Sequence, residues 1–143
     1  MKDMRRSLAA DERGQVTAFV VIITAACLLA AGLVLDGGLA LSAKSRAIGQ
    51  AQEAARAGAQ ELDLAAYRRG TVRLNPAAAR AAAQRYLHSV GASGTVTADV
   101  NLVRVRVDAR QRTQLLGLVG IAEVTVSGRG QAHPDLGALG GNG

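Results

Sequence analysis

Aromatic residues are nearly absent from this 143-residue chain, which has no Trp, two Tyr and one Phe. Any hydrophobic core must therefore be built from Ala, Val, Leu and Ile, which bury less area per side chain than aromatic residues do. The same shortage argues against a nucleic-acid partner, because proteins that hold single strands stack the bases on aromatic side chains. We expect a thin core and no binding of nucleic acid.

Cysteine and histidine are equally scarce. The single cysteine, Cys27, excludes an intramolecular disulfide. His88 and His133 stand at no metal-ligand spacing, and the chain has no nucleophile elbow or Gly-rich phosphate loop of recognised pattern. We therefore predict no catalytic residues, no metal and no cofactor. An anchored enzyme would require a carboxylate pair that these patterns do not reveal.

One long uncharged run dominates what is present. Residues 14–35 lie between Arg13 and Asp36 and consist almost entirely of Val, Ile, Leu, Ala and Thr. As a helix, these residues would extend roughly 33 Å, enough to cross the hydrocarbon core of a bilayer. A cleavable secretory signal has a similar outline, but its apolar region is shorter. A lipoprotein anchor at Cys27 is disfavoured because Thr24 stands where leucine is usual. The run predicts a membrane-spanning helix.

Positive charges near the two ends of the run predict its orientation. Residues 1–13 carry four Lys or Arg residues, whereas the same length beyond residue 35 holds only Lys44 and Arg46. Because positive residues favour the cytoplasmic side, we predict a cytoplasmic leader at 1–13, a span at 14–35 and an extracytoplasmic remainder. The protein is then a single-pass protein of the cell membrane in contact with the lipid bilayer.

The segment after the span predicts a second, amphipathic stretch of the same long helix. Residues 39–62 carry an apolar series at intervals of seven, widened by small residues. Gly37 and Gly38 precede this stretch and favour a kink near the membrane surface. The predicted buried series is Leu41, Ile48, Ala55 and Leu62, and the predicted wet face is Lys44, Arg46, Gln50, Glu53, Arg56 and Gln60.

The rest of the chain predicts an α+β domain with a small three-stranded antiparallel sheet. Asn75 and Pro76 are typical of a helix start, and Gly91 is typical of its end. After Gly94 the apolar period changes to two and shifts its phase near Asn101, which predicts a hairpin. Residues 114–121 predict a short helix or packed crossover, and 122–127 predict a third strand. The Gly-rich end predicts a domain over 36–130 and a flexible tail over 131–143.

The predicted hairpin carries a basic stripe, in a chain with a net charge of +6. Alternation places several arginines on one strand face, where they would bind polyanions such as phosphates or anionic lipid heads. The alternative is that these side chains only keep an outer sheet face hydrated. A membrane-tethered polyanion binder is thus the rival to a structural role. The stripe consists of Arg104, Arg106, Arg110 and Arg112.

Small residues recur along the predicted span. Ala18, Ala25 and Gly32 are spaced by seven and share one helix face, which Ala26 and Ala30 extend. Small faces let helices approach closely in lipid, where packing drives association. The three residues predict a helix-packing seam toward other membrane-embedded subunits, although an Ala-rich helix shows such spacing by chance as well.

Three stretches resemble the N-terminal region of TadE/TadG-like Flp pilus assembly proteins. They are DERGQVTAFVV at 11–21, LDGG at 35–38 and the Ala-rich run over 47–58. The resemblance covers about residues 11–63 and implies a bitopic component of a tight-adherence or type IV-like pilus or secretion system. It also implies a relationship to pseudopilins, a pilin-like α+β domain, and partners among other pilus or secretion subunits.

The resemblance implies a processing question as well. Pilin-like substrates are cut after a glycine, and a glutamate five residues later neutralises the new amino terminus. Gly14 is the candidate site, but Phe19 occupies the fifth position after it. An unpaired ammonium in lipid is costly. We therefore expect the leader to be retained, as in an anchor or a minor, priming-type subunit.

Overall fold

The computed structural model describes the backbone of residues 4–134 and the side chains of residues 15–134. It has the α+β architecture that the sequence predicts, with three helices, one 3-10 turn and a three-stranded antiparallel sheet in the described part. Residues 1–3 of the leader and 135–143 of the tail lie outside the described residues. The elements are α1 (Met4–Ala59), α2 (Leu64–Tyr67), α3 (Pro76–Ser89), β1 (Gly94–Ala98), β2 (Val103–Arg112), the 3-10 turn (Leu116–Val119) and β3 (Glu123–Ala132).

The first helix is a single rod of 56 residues. It includes the leader from Met4 onward and runs through Gly37 and Gly38 without a break. At about 1.5 Å per residue, such a rod extends on the order of 80 Å. One helix therefore contains both the predicted span and the amphipathic segment.

The buried face of α1 agrees only in part with the predicted one. Ala55 is fully buried and Leu62, just beyond the helix, packs partly buried against the core. Leu41, in contrast, is 69% exposed, and Ile48 is only half-buried. The face that enters the core is composed of small residues at intervals of three and four, because the sheet approaches the helix too closely for larger side chains. Its residues are Ala43, Ala47, Ala51, Ala54, Ala55 and Gly58.

The second predicted helix is confirmed, together with its capping. The Asn75 side chain accepts a hydrogen bond from the N–H of Ala78 at 3.2 Å, with Pro76 at the first helical position. Gly91 has a φ of 64° and follows the last turn, in the left-handed conformation that glycine adopts without strain. Helix α3 packs its own alanines and Leu87 against α1 and β1.

The segment before α3 contains a short helix that the sequence did not predict. Asp63 caps α2 by accepting from the N–H of Ala66 at 3.0 Å. The Arg73 guanidinium donates twice to the same carboxylate, at 3.0 and 2.8 Å. The pKa of Asp63 is lowered by the Ala66 N–H and then by Arg73, so both contacts favour the ionised carboxylate.

The sheet has the order β1-β2-β3, and the predicted hairpin joins β1 to β2 with Ala98 opposite Val103. Its inner face turns Val103, Val105 and Val107 toward the helices, where they are almost completely buried. Leu74, Val103 and Val107 are the largest fully buried side chains in the described residues. The core is thus as sparse in bulky groups as the composition predicts.

The third strand is longer than predicted and takes in residues assigned to the tail. It runs from Glu123 to Ala132 and pairs with all of β2, so residues 131 and 132 belong to the sheet. Gly128 and Gly130 lie opposite Val107 and Val105. A Cβ built on either glycine would overlap the α1 backbone at Ala47 or Ala51. The glycines that suggested a tail are the positions where helix and sheet meet.

We predict that Gly130→Ala destabilises the protein by about 1 to 3 kcal/mol, because the added methyl group forces α1 away from β3. The free energy of unfolding is to be measured by chemical denaturation of the detergent-solubilised chain.

Gly49→Ala is the matched control. Gly49 lies on α1, the helix that Gly130 contacts, and no atom lies within 4 Å of a Cβ built on it. This change should therefore stabilise the helix by roughly 0.5 to 1 kcal/mol. An unchanged or increased stability of the Gly130 variant would contradict close packing at this point.

Candidate functional site

The N-terminal part of α1 projects from the folded domain with its apolar side chains uncovered. Between Gln15 and Leu35 every residue is exposed except Gly32. By length and composition, α1 is the helix in the described residues that is suited to cross a membrane. Such an uncovered apolar surface is unfavourable in water and needs lipid or protein around it.

The predicted packing residues divide into two groups. Ala18 and Ala25 are exposed, as a seam toward other subunits requires. Gly32 is buried, because Leu115 of the same chain lies over it. A Cβ built on Gly32 would come within 2.8 Å of the Leu115 Cβ. The role of the face as a seam stays a prediction, but Gly32 has an intramolecular neighbour.

Asp36 directly follows the predicted span and forms hydrogen bonds with the loop over residues 113–122, between β2 and β3. One carboxylate oxygen accepts from the N–H of Gln114 at 2.7 Å. The other accepts from Leu115 at 3.0 Å and from Leu116 at 2.7 Å. The residue is only 4% exposed. Three consecutive N–H groups thus converge on one buried anion, as they do at the start of a helix.

These hydrogen bonds favour the ionised form of Asp36. The pKa of Asp36 is lowered by the N–H of Leu116, then by that of Gln114, with a smaller contribution from Leu115, whereas burial raises it. The carboxylate is therefore the form that the loop binds. Because the pKa is lower in the folded state, this stabilisation is present above the ordinary value of 3.8 and is lost as the pH falls through the lowered value.

Sequence reasoning missed this contact. Asp36 marked only the end of the apolar run, and the loop was predicted only as a short helix or crossover. About 80 residues separate the partners, so no local spacing pattern relates them. The usable signal was the position of a lone acidic residue at the boundary between an apolar and a polar helix segment.

The basic stripe lies on the outer face of the sheet, where Arg104, Arg106, Arg110 and Arg112 are all exposed. Arg129, which the sequence analysis did not single out, is exposed directly opposite Arg106. Three of the four predicted arginines have an acidic neighbour within 4 Å. These pairs are Arg104 with Asp99, Arg106 with Asp108, and Arg112 with Glu123. The pairs favour hydration of the outer face, and polyanion binding stays a prediction.

Comparison with known families agrees with the N-terminal resemblance. The family Tad, described as "Putative Flp pilus-assembly TadE/G-like", matches residues 14–61. The match spans about a third of the chain and ends two residues after α1. The similarity to TadE/G-like pilus-assembly proteins is thus confirmed for the long helix. No curated protein and no solved structure matches the chain.

The matched region contains the part of the candidate site that lies on α1. It contains the predicted span, Asp36, and the small-residue face that forms the core. An apolar helix of this length and the family match together indicate a membrane-associated protein similar to Flp pilus-assembly components. Gly14 lies within the helical backbone of α1, with Phe19 five residues later and 65% exposed.

We predict that Asp36→Asn releases the loop over residues 113–122. The amide keeps the size of the side chain but removes the charge and one acceptor, leaving buried N–H groups without a partner. Hydrogen exchange measured by mass spectrometry on the detergent-solubilised protein should become faster at residues 114–116, with the paired strands unaffected.

Asp99→Asn is the control, because the Asp99 carboxylate is exposed and only approaches Arg104 at 3.8 Å. It should leave exchange in the loop unchanged. In the wild-type protein, protection of the loop should persist down to about pH 4. Equal exchange in the Asp36 variant and the wild type would show that the carboxylate does not hold the loop.

Proposed function

We propose that the protein is a non-catalytic, single-pass membrane component, either an anchor or a minor pseudopilin, of a Flp or type IV-like pilus or secretion assembly. The observation that carries the proposal is that the two parts of α1 have different surroundings. Its N-terminal part has exposed apolar side chains, and its C-terminal part supplies the wall of the domain core. The family match over the same helix supports the assignment to a pilus assembly.

In this proposal the N-terminus is cytoplasmic and the domain after Asp36 lies outside the membrane. The charge asymmetry of four positive residues against two supports this orientation. The leader is retained and Gly14 is uncut, because Phe19 supplies no carboxylate for a new amino terminus. The partners are other membrane-embedded pilus or secretion subunits, and no cofactor takes part.

We predict that a reporter fused after Asp63 is active outside the cytoplasm, whereas a reporter at the N-terminus is active inside it. The reason is the excess of positive charge in the leader. Fusions of paired reporters at both positions measure the topology. Activity of the Asp63 fusion only inside the cytoplasm would reverse the proposed orientation.

We also predict that Ala18→Leu and Ala25→Leu weaken association with other membrane subunits. Added bulk holds apart helices that need close approach, and the lost packing costs on the order of 1 to 3 kcal/mol by analogy with overpacked cores. Crosslinking in the membrane of the native host, followed by identification of the crosslinked subunits, measures the association and should fall several-fold.

Cys27→Leu is the matched control. Position 27 lies about 180° around the helix from position 18 and about 160° from position 25, so it adds similar bulk on the opposite face. Insertion into the membrane should be unchanged in all three variants. Equal crosslinking for the seam variants and the wild type would mean that this face contacts only lipid.

A further inference from the structure

The loop between β2 and β3 has an apolar surface that the folded domain leaves uncovered. Residues 113–122 contain no charged side chain. Leu118 is 84% exposed, Val119 58% and Ile121 50%. These are large apolar groups at the tip of a loop in a domain whose other apolar side chains are mostly packed. Their exposure requires a second surface or solvent that is itself apolar.

The position of the loop along α1 indicates that this apolar solvent is the hydrocarbon core of the bilayer. Leu115, Leu116 and Leu118 line a cleft of about 450 Å³ against the helix at Ala25, Leu28 and Gly32. Gly32 and Ala25 precede Asp36 by four and eleven residues, which corresponds to about 6 and 16 Å along the helix axis. If residues 14–35 cross a hydrocarbon core roughly 30 Å thick, the loop reaches into the half of the bilayer nearest the domain.

The backbone of the loop is organised for such an environment. Polar backbone groups are costly in hydrocarbon unless they are paired within the protein. Asp36 accepts from three consecutive N–H groups of the loop, at residues 114–116. The N–H groups of Leu118, Gly120 and Ile121 donate to carbonyls inside the loop at 3.0 to 3.2 Å.

Paired groups also close the base of the loop. The Thr113 N–H donates to the Ala122 carbonyl at 3.1 Å. The single hydroxyl hydrogen of Thr113 is shared between the carbonyls of Ile121 and Ala122. The first charged residues on either side, Arg112 and Glu123, lie opposite each other in the sheet and approach within 3.7 Å. An apolar tip is thus bounded by a polar base, which matches the change from hydrocarbon to headgroups.

We infer that the loop over residues 113–122 inserts into the bilayer leaflet on the side of the domain, beside the membrane-spanning part of α1. Acyl chains cover Leu118, Val119 and Ile121. The domain then has two points of contact with the membrane, the helix and the loop. This inference rests on the proposed function, because it requires residues 14–35 to lie in the membrane.

The absence of tryptophan from the chain allows a direct test. Leu118→Trp places the sole tryptophan at the tip of the loop, and Val119→Trp provides a second variant in case the first perturbs folding. Phe19→Trp marks the span, and Tyr67→Trp marks the domain surface, where Tyr67 is 51% exposed. Each full-length variant is reconstituted into phosphatidylcholine vesicles with plain or brominated acyl chains.

Bromine quenches tryptophan emission only on contact, so the loss of emission reports immersion in acyl chains. We expect a loss for Leu118→Trp and Val119→Trp comparable to that of Phe19→Trp, larger with bromine close to the headgroups than with bromine near the chain ends. Tyr67→Trp should show no loss. Circular dichroism compares the helix content of each variant with that of the wild type.

The outcomes separate the inference from the function on which it rests. Quenching of Phe19→Trp with no quenching of either loop variant overturns insertion of the loop and leaves the membrane span in place. No quenching of Phe19→Trp overturns the span itself. A blue-shifted loop emission without quenching also overturns the inference, because the tip is then covered by protein, from the same or a second copy of the chain, and not by acyl chains.

Discussion

The close contact between the alanine face of α1 and the glycines of β3 is the constraint on which the rest of the fold depends. At Gly128 and Gly130 no side chain separates the strand from the backbone of Ala47 and Ala51. Helix and sheet therefore gain many short dispersion contacts and bury little volume, which suits a core without aromatic residues. Val105 and Val107, on the strand beside the glycines, fill the space that remains.

This constraint explains why the helices and strands were predicted more accurately than the face of α1 that is buried. The capping residues of α3 and the alternation in β1 and β2 are local signals, and both were read correctly. The buried face of α1 was read correctly at Ala55 but not at Leu41 and Ile48, which are more hydrophobic than alanine but too large for contact with a glycine strand. The same contact reverses the meaning of Gly128 and Gly130, which are turn or tail residues only when no helix approaches them.

The candidate site likewise has some features that could be predicted from the sequence and others that could not. The apolar run and the TadE/TadG-like resemblance were visible in the sequence, because each depends on contiguous residues. The contact between Asp36 and the loop, here called the clamp, was not visible in the sequence. The partners of Asp36 are backbone N–H groups of residues 114–116, which carry no side-chain signature. A buried carboxylate that binds main chain is recognised only when the fold brings the two segments together.

The clamp gains its importance from where it lies along the helix. Gly37 and Gly38 follow Asp36 directly, and no atom lies within 4 Å of a Cβ built on either. Two adjacent glycines weaken a helix by about 1 kcal/mol each relative to alanine, so this is the point where the rod should bend most easily.

The loop over residues 113–122 connects the parts of α1 on either side of Gly37 and Gly38. It begins and ends in strands packed on α1 beyond the glycines, and it binds α1 before them, at Gly32 and Asp36. Bending at the glycines would therefore have to break three hydrogen bonds to a buried anion. In the proposed function, α1 joins a membrane-spanning segment to a folded domain, and it transmits orientation only if this joint is stiff. The contact between Asp36 and the loop supplies that stiffness without requiring stronger helix-forming residues at positions 37 and 38.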